Sequence, residues 1–179
     1  MRLWYVTHLI PLERFSNLLA GLRCPQDIVK GQYIDLYLGE VITETELESR
    51  ELATDGAPSY IFSLDWFQQK DVYYVDSLNF GTPTRFLNHS CNPNCRVFTV
   101  ILNRADKKVY GLAFFATRDI PAGTELTVDY NPQEAGKVYP KPRPGDDASV
   151  VLCQCGSSNC RVRLWPGPKM KKGKGWARS

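Results

Sequence analysis

The stretch Arg85-Phe86-Leu87-Asn88-His89-Ser90-Cys91-Asn92-Pro93-Asn94-Cys95 decides how this chain is read, together with Cys153-Gln154-Cys155 and Cys160 far downstream. The downstream trio has the spacing C-x-C-x4-C and supplies three thiols, one short of a closed tetrahedral metal site. Cys91 is the natural fourth ligand. A metal held by Cys91, Cys153, Cys155 and Cys160 would pin the C-terminal segment against the Asn-His segment, and a functional site is expected at that junction. Cys24 and Cys95 have no partners at ligand spacing and read as ordinary free thiols.

Bulk properties narrow the class. The 179 residues are one domain's worth of chain, and 43% hydrophobic with 23% charged residues describes an ordinary globular protein. A formal net charge of +3 is too small to argue for nucleic acid. Basic residues do gather in Lys169-Met170-Lys171-Lys172-Gly173-Lys174, where a solvated tail is the plainer reading and weak contact with DNA or another acidic partner the sharper one. Clustered cysteines favour metal over a disulfide framework, and so an intracellular chain with reduced thiols. His8, Pro11, Glu13 and Arg14 interrupt the apolar residues near the start, so neither a signal segment nor a spanning helix is expected, and no membrane partner.

Short runs rich in Tyr, Phe, Val and Ile at residues 32–38, 59–65, 72–76, 96–102 and 108–115 read as strands. Residues 103–107 separate the last two as a hairpin loop, and Pro121-Ala122-Gly123 marks another turn. One helix is expected over residues 44–54, opened by the capping pattern Thr43-Glu44-Thr45-Glu46. The fold class is therefore mainly β, with many short strands and little helix.

Residues 21–165 resemble the SET-domain lysine methyltransferases, most closely the fungal suppressor-of-variegation (heterochromatin) type. The resemblance is carried by Gly21-Leu22-Arg23, Lys30-Gly31, Tyr37-Leu38-Gly39-Glu40, Tyr60, the run from Arg85 to Cys95, LAFFATRDIPAGTELTVDY ending at Tyr130, and CQCGSSNCRVRLW ending at Trp165. It implies small β-sheets with few short helices, a C-terminal pseudoknot and a zinc-binding post-SET tail. The implied organisation is an N-terminal extension at 1–19, a SET domain at 20–131, a Pro-rich linker at 132–150, the post-SET segment at 151–166 and a basic tail at 167–179.

The same resemblance implies methyl transfer from S-adenosylmethionine to a lysine of the histone H3 tail, lysine nine favoured, as free peptide or nucleosome, in the nucleus on the chromosome. Tyr130 takes the catalytic position and Tyr60 that of the second tyrosine of the lysine channel. Ala20, Gly21, Leu22, Arg85, Asn88, His89 and Trp165 fall at donor-binding positions, with Arg85 also read as a support of its loop. Zinc is expected at one structural site. Val128, two before the catalytic tyrosine, stands where relatives carry Phe or Tyr, which implies tolerance of multiple methylation.

Other departures keep alternatives open. Residues 1–19 contain no cysteine where relatives carry a zinc-binding pre-SET segment, so that segment is either lost or cut away. Ala20 replaces a usual tryptophan. Val162 follows Cys160-Arg161 where glycine is common, and a β-branched residue is uncomfortable at φ > 0. A SET module that binds zinc and chromatin partners with little or no catalysis, and a methyltransferase of non-histone lysines, remain alternatives. The oligomeric state is not legible in the sequence.

Overall fold

In the computed structural model of the chain, residues 10–11, 21–54, 60–65, 72–101, 110–141 and 151–164 are described. They fall into two units, one drawn from residues 1–88 and 94–128, the other from 89–93 and 129–179.

The first unit is built from the aromatic and β-branched runs. Strand β1 (Ile10–Pro11) pairs with β2 (Leu22–Arg23), while β3 (Tyr33–Tyr37) and β4 (Glu40–Thr43) lead into helix α1 (Glu44–Thr54). Then follow β5 (Ile61–Leu64), β6 (Tyr73–Asp76), β7 (Asn88–His89, of which His89 is counted in the second unit), β8 (Cys95–Val100), β9 (Gly111–Ala116) and β10 (Glu125–Val128). They make three small sheets, ordered β1-β2-β10-β7, β3-β9-β8 and β4-β6-β5. The fold class is thus mainly β, with α1 the single α-helix among the described residues. No helix there is long and apolar enough to cross a membrane.

Register explains the burial pattern. Ile34 and Tyr37 are both buried although three apart, because the β3–β9 pairing shifts register between Tyr33 and Asp35. Leu22 and Leu126 face each other across β2 and β10, both fully buried. Tyr37 meets Phe62 edge-on at 4.6 Å between centroids, an arrangement favoured by ring quadrupoles. These side chains join Phe114, Ile120 and Val128 in the core, so β10 is anchored immediately before Asp129 and Tyr130.

Helix α1 starts where the capping pattern places it: the Glu46 N–H donates to Thr43 Oγ1 at 3.4 Å. Arg50 then reaches Glu46 at 2.9 Å, Glu40 at 2.9 Å and the buried Asp76 at 2.6 Å, fastening the helix to β4 and β6. The run Glu40-Val41-Ile42-Thr43 forms a strand that the sequence reading did not separate from the helix start.

The connector between β3 and β4 crosses the end of β6 with no room to spare. A Cβ at Gly39 would lie 2.3 Å from the Asp76 carbonyl oxygen. Backbone cannot yield as a flexible side chain can, so Gly39→Ala is expected to lower unfolding stability by about 2–3 kcal/mol, as overpacking does. Chemical denaturation followed by circular dichroism checks this; an unchanged midpoint would contradict it.

Candidate metal and tyrosine site

All the residues that converge here belong to the second unit. Its described part holds little regular structure: an isolated bridge joins Leu152 to Arg163, and a few backbone bonds link its segments. Among these, the Cys153 N–H donates to the Val162 carbonyl at 2.9 Å and the Tyr139 N–H to the Arg161 carbonyl at 3.0 Å. The described part of the Pro-rich stretch is tied down further by Arg163 Nε on the Pro140 carbonyl at 3.0 Å. With so little regular structure, the described part of this unit is held by polar bonds, and a bound metal would add to them.

Those bonds centre on Cys91. The chain bends just after β7, and His89 Nε2 sits 3.3 Å from Cys91 Sγ. Cys91 Sγ lies 3.7 Å from Cys153 Sγ. That is the edge of a tetrahedron around an ion with metal–sulfur bonds of about 2.3 Å, which would be about 3.8 Å. One ligand atom from each of His89, Cys91, Cys153 and Cys155 lies within 4.8 Å of all the others. Cys160 falls outside that set; its thiol donates to the Cys153 carbonyl at 3.8 Å. Backbone N–H groups already aim at the sulfurs: Arg161 donates to Cys91 at 3.3 Å and Val162 to Cys160 at 3.4 Å. This donor set fits a thiophilic divalent ion.

The thiols differ in readiness. Burial raises the pKa of Cys91 and Cys153 above the usual thiol range. Burial also works against the Cys155 thiolate, but bonds from Ser157 and from the Cys91 backbone outweigh it and bring Cys155 down to about 6. Cys24 and Cys95 are buried in the first unit, and burial pushes Cys95 up to about 12, consistent with an inert core thiol.

His89 is committed at both nitrogens. Its Nδ1 accepts the Tyr130 backbone N–H at 3.2 Å, so the proton of the neutral ring resides on Nε2 and points at the Cys91 sulfur. Burial pushes its pKa down to about 4, with Asp129 opposing and Arg161 adding, so the ring is neutral at pH 7. Neither nitrogen keeps a lone pair for a metal. The His89 ring also packs against the Tyr130 ring, centroids 5.3 Å apart.

Residues flanking Tyr130 are held from the other side by Arg161, only 2% exposed. Its guanidinium pairs with the Asp129 carboxylate and donates to the Asn131 carbonyl at 2.8 Å. Burial opposes the charge on Arg161, but Asp129 more than restores it, so its pKa lies above the usual value. Its Nε has no hydrogen-bond partner among the described residues. The sequence reading missed Arg161 and Asp129. The only available signal was an arginine directly after Cys160 and an acid directly before Tyr130, neither of which announces a buried pair.

The remaining sequence candidates lie in the first unit. Gly21 and Leu22 are buried, Leu22 within β2 opposite Leu126 of β10. Tyr60 accepts the Tyr37 hydroxyl on its carbonyl at 2.6 Å and meets Phe86 edge-on. Arg85 donates to the Ser77 carbonyl at 2.9 Å and lies over the Phe86 ring, a loop support. Asn88 Nδ2 donates to Glu125 at 2.8 Å. Val128 is buried at the end of β10. Ala20, Trp165, the hairpin loop at 103–107 and the basic tail at 167–179 lie outside the described residues.

Comparison with known proteins gives a consistent picture. Residues 20–131 match the SET domain family. The chain is 39% identical over 170 residues to the Neurospora crassa protein "Histone-lysine N-methyltransferase, H3 lysine-9 specific dim-5", covering 87% of this chain and 51% of that one. It is 39% identical over 176 residues to the Fusarium mangiferae "Histone-lysine N-methyltransferase, H3 lysine-9 specific KMT1", covering 87% of this chain and 49% of that one. A structure reported as "Structural basis for the product specificity of histone lysine methyltransferases" superposes with a TM-score of 0.70 at 38% identity, over 85% of this chain and 54% of that one. The chain thus spans about half the length of the curated relatives it matches.

Val162 carries the strain expected of it. Its φ is +73°, the only positive value at a non-glycine among the described residues. Bonds on both sides, from its N–H to Cys160 and to its carbonyl from Cys153, hold it there. Left-handed backbone costs an L-residue roughly 1–2 kcal/mol, partly offset in a glycine variant by chain entropy. Val162→Gly is therefore expected to stabilise the metal-loaded protein by about 1 kcal/mol, a rise in Tm of about 2–4 °C. Differential scanning calorimetry checks this, and a lowered Tm would contradict it.

Proposed function

The chain belongs to the SET domain family, and from that premise we propose that it is an S-adenosylmethionine-dependent protein-lysine N-methyltransferase acting on the histone H3 tail, lysine nine favoured. One observation carries the reading. Tyr130 stays 39% exposed while its backbone is bonded to His89 and its neighbours to Arg161. A tyrosine kept only for packing would be buried; this one presents its ring from a fixed backbone, as a residue that orients a substrate must.

The chemistry sets the task. When bound, S-adenosylmethionine supplies the methyl group on a sulfonium. The lysine must lose its proton before it can attack, which from a pKa of about 10.4 costs about 3 kcal/mol at pH 8. Tyr130 orients the neutral amine through its phenol and need not act as a strong base. Tyr60 is assigned the second tyrosine role. Asn88 holds the methionine end of the donor and backbone groups at His89 read its adenine edge. Gly21, with Leu22 and Ala20, allows close backbone approach; Arg85 braces its loop, and Trp165 covers the donor.

Zinc is the proposed ion, held by Cys91, Cys153, Cys155 and Cys160. His89 is excluded from the ligand set because both its nitrogens are engaged. Residues 20–131 are assigned as the SET domain, 132–150 as linker and 151–166 as the zinc-binding tail. The histone tail, presented as peptide or nucleosome, makes nucleus and chromosome the proposed site of action, with the basic tail at 167–179 adding weak DNA contact.

The test is transfer of labelled methyl groups to a histone H3 tail peptide by the full chain. Tyr130→Phe is expected to lower kcat by roughly 100-fold or more, with donor affinity within about twofold of the parent by calorimetry. Val128 has no hydroxyl to restrain the amine, so mass spectrometry should show di- and trimethyl products. Donor binding without transfer by the parent chain would instead favour a non-catalytic module. Monomethyl product alone would contradict the role given to Val128.

A further inference from the structure

The His89 side chain has no assigned task, since only its backbone is given to the donor, yet it is one of the most constrained groups in the second unit. Its ring is 5% exposed and joins two groups of different kind. At one end Nδ1 accepts the Tyr130 N–H at 3.2 Å, and the ring face packs against the Tyr130 ring at 5.3 Å. At the other, Nε2 meets Cys91 Sγ at 3.3 Å. Most neighbouring polar groups are otherwise engaged, Arg161 Nε excepted among the described residues. The Asn131 N–H donates to Asp129 at 2.9 Å, and Arg161 takes the other Asp129 oxygen and the Asn131 carbonyl. Asp129 Oδ1 is 3.7 Å from Nδ1, beyond hydrogen-bond reach, so the Tyr130 amide holds that nitrogen.

We propose that His89 is a positioning residue whose imidazole, held in one tautomer, fixes Tyr130 from the metal site by donating Nε2–H to the Cys91 sulfur while accepting the Tyr130 N–H. The proposal rests on Cys91 being a metal thiolate and Tyr130 the catalytic tyrosine, as argued above. A thiolate on a cation accepts an N–H bond more strongly than a neutral thiol, because the acceptor is charged. Metal loading therefore tightens the strut and metal loss slackens it at the far end. Partners of metal ligands commonly change affinity or activity by about 10–100-fold when removed. Here the effect would be felt at a tyrosine that touches no metal.

Two conservative variants separate the ends. The amide of His89→Gln reaches the Nε2 position and keeps the donor to sulfur, while His89→Asn keeps an acceptor at the Nδ1 position and loses the sulfur bond. In the cobalt-substituted full chain, the thiolate-to-cobalt charge-transfer band should shift in His89→Ala and His89→Asn and stay near the parent position in His89→Gln. With ¹⁵N-tyrosine labelling, the nine tyrosine amides are countable and Tyr130 is assigned by its loss in Tyr130→Phe. Replacing zinc by cadmium should move the Tyr130 amide resonance in the parent chain and move it several-fold less in His89→Ala, where only the Arg161 link from the sulfur remains. In the transfer assay, His89→Ala should lose about 10–100-fold in kcat, with KM for the donor changed less than about twofold.

A charge-transfer band indifferent to all three variants, or a Tyr130 amide in the parent chain indifferent to the metal, overturns the proposal. If the band and the amide respond as stated but the parent chain transfers no methyl groups, the strut stands and the methyltransferase reading falls.

Discussion

The described part of the second unit is organised around the Cys91 sulfur and the question of where its charge goes. Three groups meet the sulfur, Cys153 at 3.7 Å, the His89 ring at 3.3 Å and the Arg161 N–H at 3.3 Å, while Asn159 donates to the Cys91 carbonyl at 2.9 Å. Burial makes Cys91 and Cys153 resist ionisation, as their raised pKa values express, while Cys155 beside them ionises more readily. A divalent cation reverses that balance, turning mutual repulsion into shared coordination. The same contacts that are awkward among bare thiols become the strongest bonds in a segment with almost no regular structure.

The Arg161–Asp129 pair fits this picture. A buried arginine is costly to desolvate, and breaking such a pair typically costs 3–5 kcal/mol because the remaining charge is stranded. Arg161 earns no large net stability by this arithmetic. Its position matters more: backbone on the Cys91 sulfur, guanidinium on the residues either side of Tyr130. His89 makes the parallel connection to Tyr130 itself. Two short struts, one cationic and one neutral, therefore run from the same sulfur to the same tripeptide.

How much of this was legible in the sequence depended on whether the signal was local. Helix α1 appeared where Thr43 and Glu46 announced it, because capping is a matter of residues three apart. Five of the longer strands showed in their branched and aromatic runs, but β10 was not read as a strand. The two-residue strands β1, β2 and β7 could not show, since two residues carry no period, and β4 was hidden by the helix that follows without a loop. The thiols at Cys91, Cys153 and Cys155 could be grouped because thiol chemistry limits the partners a clustered cysteine can have. The buried Arg161–Asp129 pair and the His89 tautomer were invisible, because a charged or ring side chain reads alike whether it faces water or a partner far along the chain. Val162 is the instructive middle case. Its residue type forecast strain, and only the φ of +73° showed that the chain accepts the strain to keep two backbone bonds beside the sulfurs.

The central claim is that sulfur alone surrounds the ion and that His89 stands outside as a donor. X-ray absorption at the zinc edge of the zinc-loaded chain tests it most directly. The account predicts four sulfur scatterers at about 2.3 Å and no imidazole multiple-scattering pattern. Three sulfurs with one nitrogen at about 2.0 Å and a clear imidazole signature would put His89 on the metal and contradict it.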